Sequence, residues 1–251
     1  MRFNGKIDGL SGPALIAEML KVSGPLNHAN PIPEDVLETF NDRLPALLLD
    51  FWATHGVGIL ETQRLQHCLP GELAPVISAL FAHDPDFGGI VPKGAGNATL
   101  PVTDCHAIAY GPFGKLIVWS ERHHLVLVDM KLGLVDAPFF SHPDWKIEAN
   151  ETLFKFLWGL PADALDLDDD TGQPMFLRAK ERFGALGPGE IYGTQPAISF
   201  GDPVDLDHLA PVPARDWISE RASGMHFMLA DIATGQFDIR PIGLWNPGVK
   251  P

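Results

Sequence analysis

Between Asp104 and Met130 the chain passes through three short apolar segments, DCHAIAY, KLIVWS and HLVLVDM, separated only by GPFG and ERH. Connections this short join antiparallel neighbours, so the segments read as a β-meander. Upstream the period changes. PIPEDVLETFNDRLPALLLDFWATHG reads as two helices, with Glu34 and Asp35 in the first turn after Pro33, a second start at Pro45, and Gly56 as its stop. Val36, Leu37 and Phe40, then Leu48, Phe51 and Trp52, recur at helical spacing. GPALIAEMLKV predicts an earlier short helix, VGILET a strand, and GELAPVISALFA a further helix. Helices segregated from antiparallel strands predict an α+β fold rather than a doubly wound sheet.

The rest of the chain divides by composition. NETLFKFLW reads as a helix with Asn150 as N-cap and Gly159 as stop, closing a domain over residues 31–162 that follows an N-terminal extension, 1–30. PADALDLDDDTGQP is acidic and flanked by proline, which marks residues 163–173 as a linker. Residues 174–251 then form a smaller α+β unit. Its expected elements are a helix at PMFLRAKERFG, a strand from Ile191 to Phe200, a helix at PARDWISERAS, and a hairpin of MHFMLADIA and QFDIRPIG turning at Thr234-Gly235.

Charge narrows the function classes. The 251 residues carry 32 acids against 18 lysines and arginines, a net charge of −14. Nucleic acid and anionic lipid are bound through cations, so direct binding of either is disfavoured and a basic partner is favoured. No apolar run approaches the roughly 20 residues that span a bilayer, since even LPALLLDFW is cut by Asp50. Asp8 and Glu18 interrupt any signal-peptide core near Arg2 and Lys6, and with only Cys68 and Cys105 the composition suits a reducing, cytoplasmic setting.

The chemistry-bearing motifs are incomplete. Gly184 and Gly189 have the glycine spacing of a phosphate loop, and Gly187-Pro188-Gly189 begins a dinucleotide fingerprint. Glu190 and Ile191 stand where the first needs lysine and a hydroxyl, and Tyr192 where the second needs glycine. Asp166, Asp168 and Asp170 alternate like calcium ligands, but the sixth and twelfth places hold Thr171 and Leu177 instead of glycine and glutamate. His67-Cys68 and Cys105-His106 lack the knuckle spacing of structural zinc, and strand neighbours point to opposite faces. His123 and His124 near Glu121 have no accompanying nucleophile motif and read as turn residues. Trp52, Trp119, Trp145 and Trp158 lie on apolar-patterned segments and are expected in the core. No catalytic residue, metal or cofactor is therefore expected.

Two regions resemble a known architecture. HAIAYGPFGKLIVWSERHHLVLVDMKLG and, upstream, LPALLLDFWATHGVGIL resemble the GAD-like domain: a Leu-Pro pair leads to a tryptophan and a Gly-x-Gly strand entry, and an aromatic-glycine turn precedes a strand ending in Trp119. FLRAKERFGALGPGEIYG, with Gly187-Pro188, Glu190, Tyr192-Gly193 and Pro196-Ala197, resembles the start of the small C-terminal domain that accompanies GAD-like domains in bacterial immunity proteins. The resemblance spans roughly Pro31 to Ala222. It implies an immunity protein that binds and neutralises a type VI secretion DNase effector, with a basic nuclease domain as partner. It departs from the pattern at ARDWISERAS, where an amphipathic segment containing Trp217 replaces a more apolar helix.

The acids expected to meet such a partner flank the start of the second unit and follow its first strand: Asp166, Asp168, Asp169, Asp170, Asp202, Asp205 and Asp207, together with Trp217. A cytoplasmic regulatory or ligand-sensing module is the alternative, and a small hydrolase assembled only in the fold is a third. The sequence leaves the oligomeric state open.

Overall fold

The structure is a computed structural model describing residues 3–89, 103–161, 163–195 and 204–243. The chain opens with a short strand pair, β1 (Lys6–Ile7) and β2 (Leu10–Ser11), which leads into helix α1 (Gly12–Ser23). Strand β3 (Leu26–Asn30), helices α2 (Glu34–Glu38) and α3 (Ala46–His55), and strands β4 (Val57–Leu60) and β5 (Gln66–His67) follow. A 3-10 turn, Pro70–Leu73, runs into α4 (Ala74–Phe81). The predicted meander is β6 (Cys105–Tyr110), β7 (Leu116–Ser120) and β8 (His124–Asp129), extended by β9 (Leu134–Asp136). Next come α5 (Pro138–Ser141) and α6 (Ala149–Thr152), the latter continuing as a π-helical segment, Leu153–Trp158. Beyond the acidic run lie α7 (Phe176–Phe183), β10 (Glu190–Thr194), β11 (Leu209–Pro213), α8 (Ala214–Gly224), β12 (Met228–Asp231) and β13 (Gln236–Pro241).

Nine strands form one sheet in the order β13-β12-β9-β8-β7-β6-β5-β4-β3. Every pairing is antiparallel except β12 on β9. The fold is α+β, as the segregated helices and meander predict. Strand alternation builds its two cores. Leu116, Val118, Val126 and Val128 face a layer that includes α4 and α8, through residues such as Ile77, Leu80 and Ile218. Ile117, Trp119 and Leu125 face the opposite layer, with Leu15 and Met19 of α1, Leu48 and Trp52 of α3, and Leu157 of the π-helical segment. Every residue of β6 and β7 is buried. Side chains such as Leu116 and Ile117 then contribute about 1.5–3 kcal/mol each.

Of residues 174–251, expected as a unit of their own, β12 and β13 join this sheet, while β10 and β11 pair in a two-stranded sheet. A two-stranded hairpin is marginal alone, and β12 gains a partner in β9 through the register Met228 to Leu134 and Leu229 to Val135. Residues 1–30, expected as an extension, supply α1 to the core and β3 to the sheet. The linker residues lead into a satellite cluster of Met175, Phe176, Tyr192 and Leu209, with Phe113 and Ile59. The expected strand from Ile191 begins at Glu190 and is described to Thr194; Pro196 to Asp202 lie outside the described residues.

Two side chains correct local expectations. Asn150 does not cap its own helix: its Oδ1 accepts the Leu47 N–H at 2.8 Å, satisfying an otherwise open donor in the first turn of α3. Trp145 is not in the core but exposed, stacked on His142 with ring centroids 4.5 Å apart.

His67 packs against Phe51 inside the second core, where burial pushes its pKa down to about 4. Between the unperturbed 6.5 and that value the unfolded chain takes up a proton that the folded chain refuses. Stability is therefore fully present above pH 6.5 and falls as the pH drops toward 4, by about 3 kcal/mol from this group. Urea denaturation over that pH range is expected to show a shallower acid-side loss for His67→Leu than for the wild type. Identical slopes would mean that His67 is not the group responsible.

Candidate interaction site

Of the acids singled out by sequence, Asp166 and Asp169 are turned inward, while Asp168, Asp170, Asp205 and Asp207 are exposed. Asp166 is nearly buried, and its Oδ1 accepts N–H groups of Leu167, Met175 and Phe176 at 2.8, 3.1 and 2.8 Å, anchoring the start of α7. Its Oδ2 lies 3.3 Å from Arg64 Nη1, and that guanidinium covers the Phe176 ring. Asp169 folds onto the Thr171 hydroxyl, Arg178 and the Gln173 N–H, which together hold its carboxyl far below the ordinary range. Asp170 accepts the Val204 N–H at 3.3 Å, while Asp168 stays exposed. Asp205 caps the turn at Asp207 and His208, and Asp207 pairs with Arg182 at 2.6 Å on the surface. Asp202 lies outside the described residues.

Trp217, expected at the interface, is a core residue. Its ring fills the space over Gly114 and Gly193, where an added Cβ would come within 2.5 and 2.8 Å of it, and its Nε1 donates to Thr194 O at 3.3 Å. Tyr192 is buried too, and its hydroxyl donates to Gly184 O at 2.6 Å. Glu190, which breaks the phosphate-loop pattern, turns back to accept the Gly187 N–H at 2.7 Å.

Histidine chemistry gathers elsewhere. His106 Nε2 lies 2.7 Å from Glu121 Oε1, which also takes Arg43 Nε at 2.9 Å. Burial lowers the His106 pKa against the pull of Glu121. Nearby, His124 Nδ1 meets the Thr152 hydroxyl at 3.1 Å, but Thr152 is fully buried and closed to a substrate. His67 and His106 face the second core side while Cys68 and Cys105 pack in the first. Among the described residues no three His, Cys, Asp or Glu side chains are placed to hold a metal ion.

A concavity of about 1220 Å³ lies where the end of α8, the β8–β9 turn and the β12–β13 hairpin meet. Gly133 makes the junction possible: at φ +65 it lies against His226 O, where a Cβ would come within 2.6 Å, and its carbonyl accepts the Met228 N–H. Arg221 is buried and donates to Met130 O and Lys131 O, fastening α8 to the same turn. Apolar lining comes from Leu132, Leu134, Met225, Met228 and Phe237, and the exposed carboxylates on its walls belong to Glu220 and Asp238. Arg240 fixes the hairpin from its other end by a bidentate pair with Asp84 at 2.7 and 2.9 Å.

These residues were absent from the sequence-based candidates, yet QFDIRP carried the signal. Phe237 and Ile239 alternate with Gln236, Asp238 and Arg240, the pattern of a strand with one apolar face. Both are exposed, 52% and 45%, and Ile232 in the adjoining turn is exposed as well.

Comparison with known proteins places this site relative to a family. The GAD-like domain matches residues 14–131, so the chain carries a GAD-like domain from α1 through β8. The match starts ahead of residue 31 and takes in α1 and β3. No curated protein matches the chain. Among solved structures, the crystal structure of Atu4351 from Agrobacterium tumefaciens is similar, with a TM-score of 0.77 and 24% identity over 90% of this chain and 97% of that one. The two share a fold.

The buried bonds of Asp166 assign it to stability rather than recognition. Asp166→Ala is expected to cost about 1–3 kcal/mol, because two helix-start donors and Arg64 lose their acceptor. Asp207→Ala, which breaks one exposed pair, should change stability by no more than about 0.5–1 kcal/mol. Parallel urea melts check the ordering, and a reversed order would refute the assignment.

Proposed function

We propose that this protein is a non-catalytic immunity protein that acts in the cytoplasm by binding and neutralising a type VI secretion DNase effector. The observation that carries the reading is the apolar cleft with exposed Glu220 and Asp238 on its walls, on a chain of net charge −14. A nuclease presents lysine and arginine to DNA phosphates, so an acidic surface is attracted to the same face and competes there. Apolar anchors supply the energy once the charges have aligned the two proteins. Met225 and Met228 suit that role, since unbranched thioether side chains adapt to the shape they meet. The resemblance of residues 176–193 to the C-terminal domain of immunity proteins points to the same class of partner.

Co-expression with a nuclease encoded beside the gene tests the proposal. Cells carrying both are expected to survive with intact plasmid DNA, and cells carrying the nuclease alone to lose both. Soluble protein that gives no protection would overturn it. Raising salt from low to high should slow association on the order of tenfold, because steering is screened. A salt-independent rate would remove charge from the mechanism.

A further inference from the structure

The sheet has two outer edges, and they differ in chemistry. At one end β3 reads LNHAN, polar over its exposed length. At the other end β13 reads QFDIRP and exposes Phe237 and Ile239. Natural sheets blunt their edges with polar or charged residues because an apolar edge recruits further strands. β3 follows that rule throughout, whereas β13 follows it with Asp238, Arg240 and Pro241 yet also exposes Phe237 and Ile239.

Backbone geometry shows which groups β13 leaves available. Ile242 N donates to Phe227 O, and the register continues with Met228 opposite Pro241 and Leu229 opposite Arg240. Antiparallel alternation turns the Arg240 amide toward β12; the register then shifts between Leu229 and Asp231, which pairs with Gln236, so that Phe237, Asp238 and Ile239 together oppose Ala230 and form a bulge with donors outside the ladder. Pro241 fits the same logic, because its missing N–H belongs to the open side. No strand pairs with that side among the described residues. The strand is held on either side of this bulge, by pairing with β12 at Arg240 and Gln236 and by the Arg240 pair with Asp84.

We infer that β13 receives an additional strand from the bound protein, a basic segment in which lysine or arginine alternates with apolar residues. This rests on the reading that the chain binds a protein partner. Main-chain hydrogen bonds to the open edge would set the register, Phe237 and Ile239 would pack against the incoming apolar side chains, and Asp238 and Glu220 would take the cations. Of the charged side chains lining the adjoining cleft, Glu220 and Asp238 are exposed, whereas Arg221 is buried with bonds to carbonyls. That asymmetry selects a basic strand over an acidic or neutral one.

Hydrogen exchange of the full chain, alone and with the nuclease encoded beside its gene, tests the inference. Amides from Phe237 to Ile239 are expected to slow by about tenfold or more only in the complex, as donors outside the β12 ladder become paired. Ile239→Pro removes one donor of the bulged segment and is expected to weaken binding about tenfold, with thermal stability checked in parallel. Asp238→Lys should weaken it further at low salt. If the complex forms and protects cells while these amides exchange unchanged and Ile239→Pro binds as the wild type, strand addition is wrong and the immunity reading survives. Slowing that rises with concentration in the protein alone would make the edge a seam between copies and also overturn the inference. If the wild type neither binds nor protects, both readings fall together.

Discussion

The central strands are covered on both faces, and the rest of the structure follows from that constraint. Antiparallel sheets usually leave one face to solvent, with polar residues alternating along each strand. KLIVWS has no such alternation: Leu116 and Val118 need one apolar layer and Ile117 and Trp119 another. One layer comes from α1, α3 and the π-helical segment, the other from α4 and α8. Because α8 belongs to the far end of the chain, the C-terminal residues are part of the core that buries the meander. β12 can then pair in parallel with β9, a geometry that needs the long crossover running from Ala137 to Phe227.

Acidic residues serve two separate purposes in this arrangement. Within the turns they act as acceptors for backbone N–H groups: Asp166, Asp169 and Asp205 each hold several donors in place. Such carboxylates are already committed, and their hydrogen bonds are needed to keep the loops folded. Glu220 and Asp238 stand on exposed elements beside an apolar surface, where their charge projects outward. Net charge alone does not separate the two kinds; the backbone donors around each carboxylate do. A run of aspartates in a loop is therefore a poor guide to an interface until its internal acceptor roles are known.

Much of the fold was legible because local signals agreed. The meander, the Pro45 to Gly56 limits of α3 and the Thr234-Gly235 hairpin are all written in short-range patterns. The short strands β5 and β9 were not, since two or three residues carry no period and are defined by their neighbours. Asn150 illustrates the same limit: its type announces a cap, but which helix it caps depends on a contact 103 residues away in sequence. Trp217 misled for a related reason. Helix α8 carries charges on every turn, so its tryptophan looked exposed, yet Gly114 and Gly193 leave a space that only a large ring fills. The site was legible only in QFDIRP, and an alternating hairpin strand shows its importance only when it is seen to end the sheet.

The match to the GAD-like domain stops at residue 131, before every element that lines the cleft except the sheet itself. The matched part supplies β3 to β8 and so fixes the position and twist on which β9 can be laid. Residues 132–243 then add β9, α8, β12 and β13, and with them the cleft and the open edge. Exchanging β13 alone changes the exposed strand while leaving the doubly covered centre in place, because Phe227 and Leu229 on the β12 side belong to the core whereas β13 and the residue after it add only the Arg240 pair with Asp84 and Ile242. Sequence can therefore change at the edge without a large cost in stability. That separation follows from the sheet order: the strands that carry the core lie in the middle, and the strand with exposed apolar side chains lies at the end.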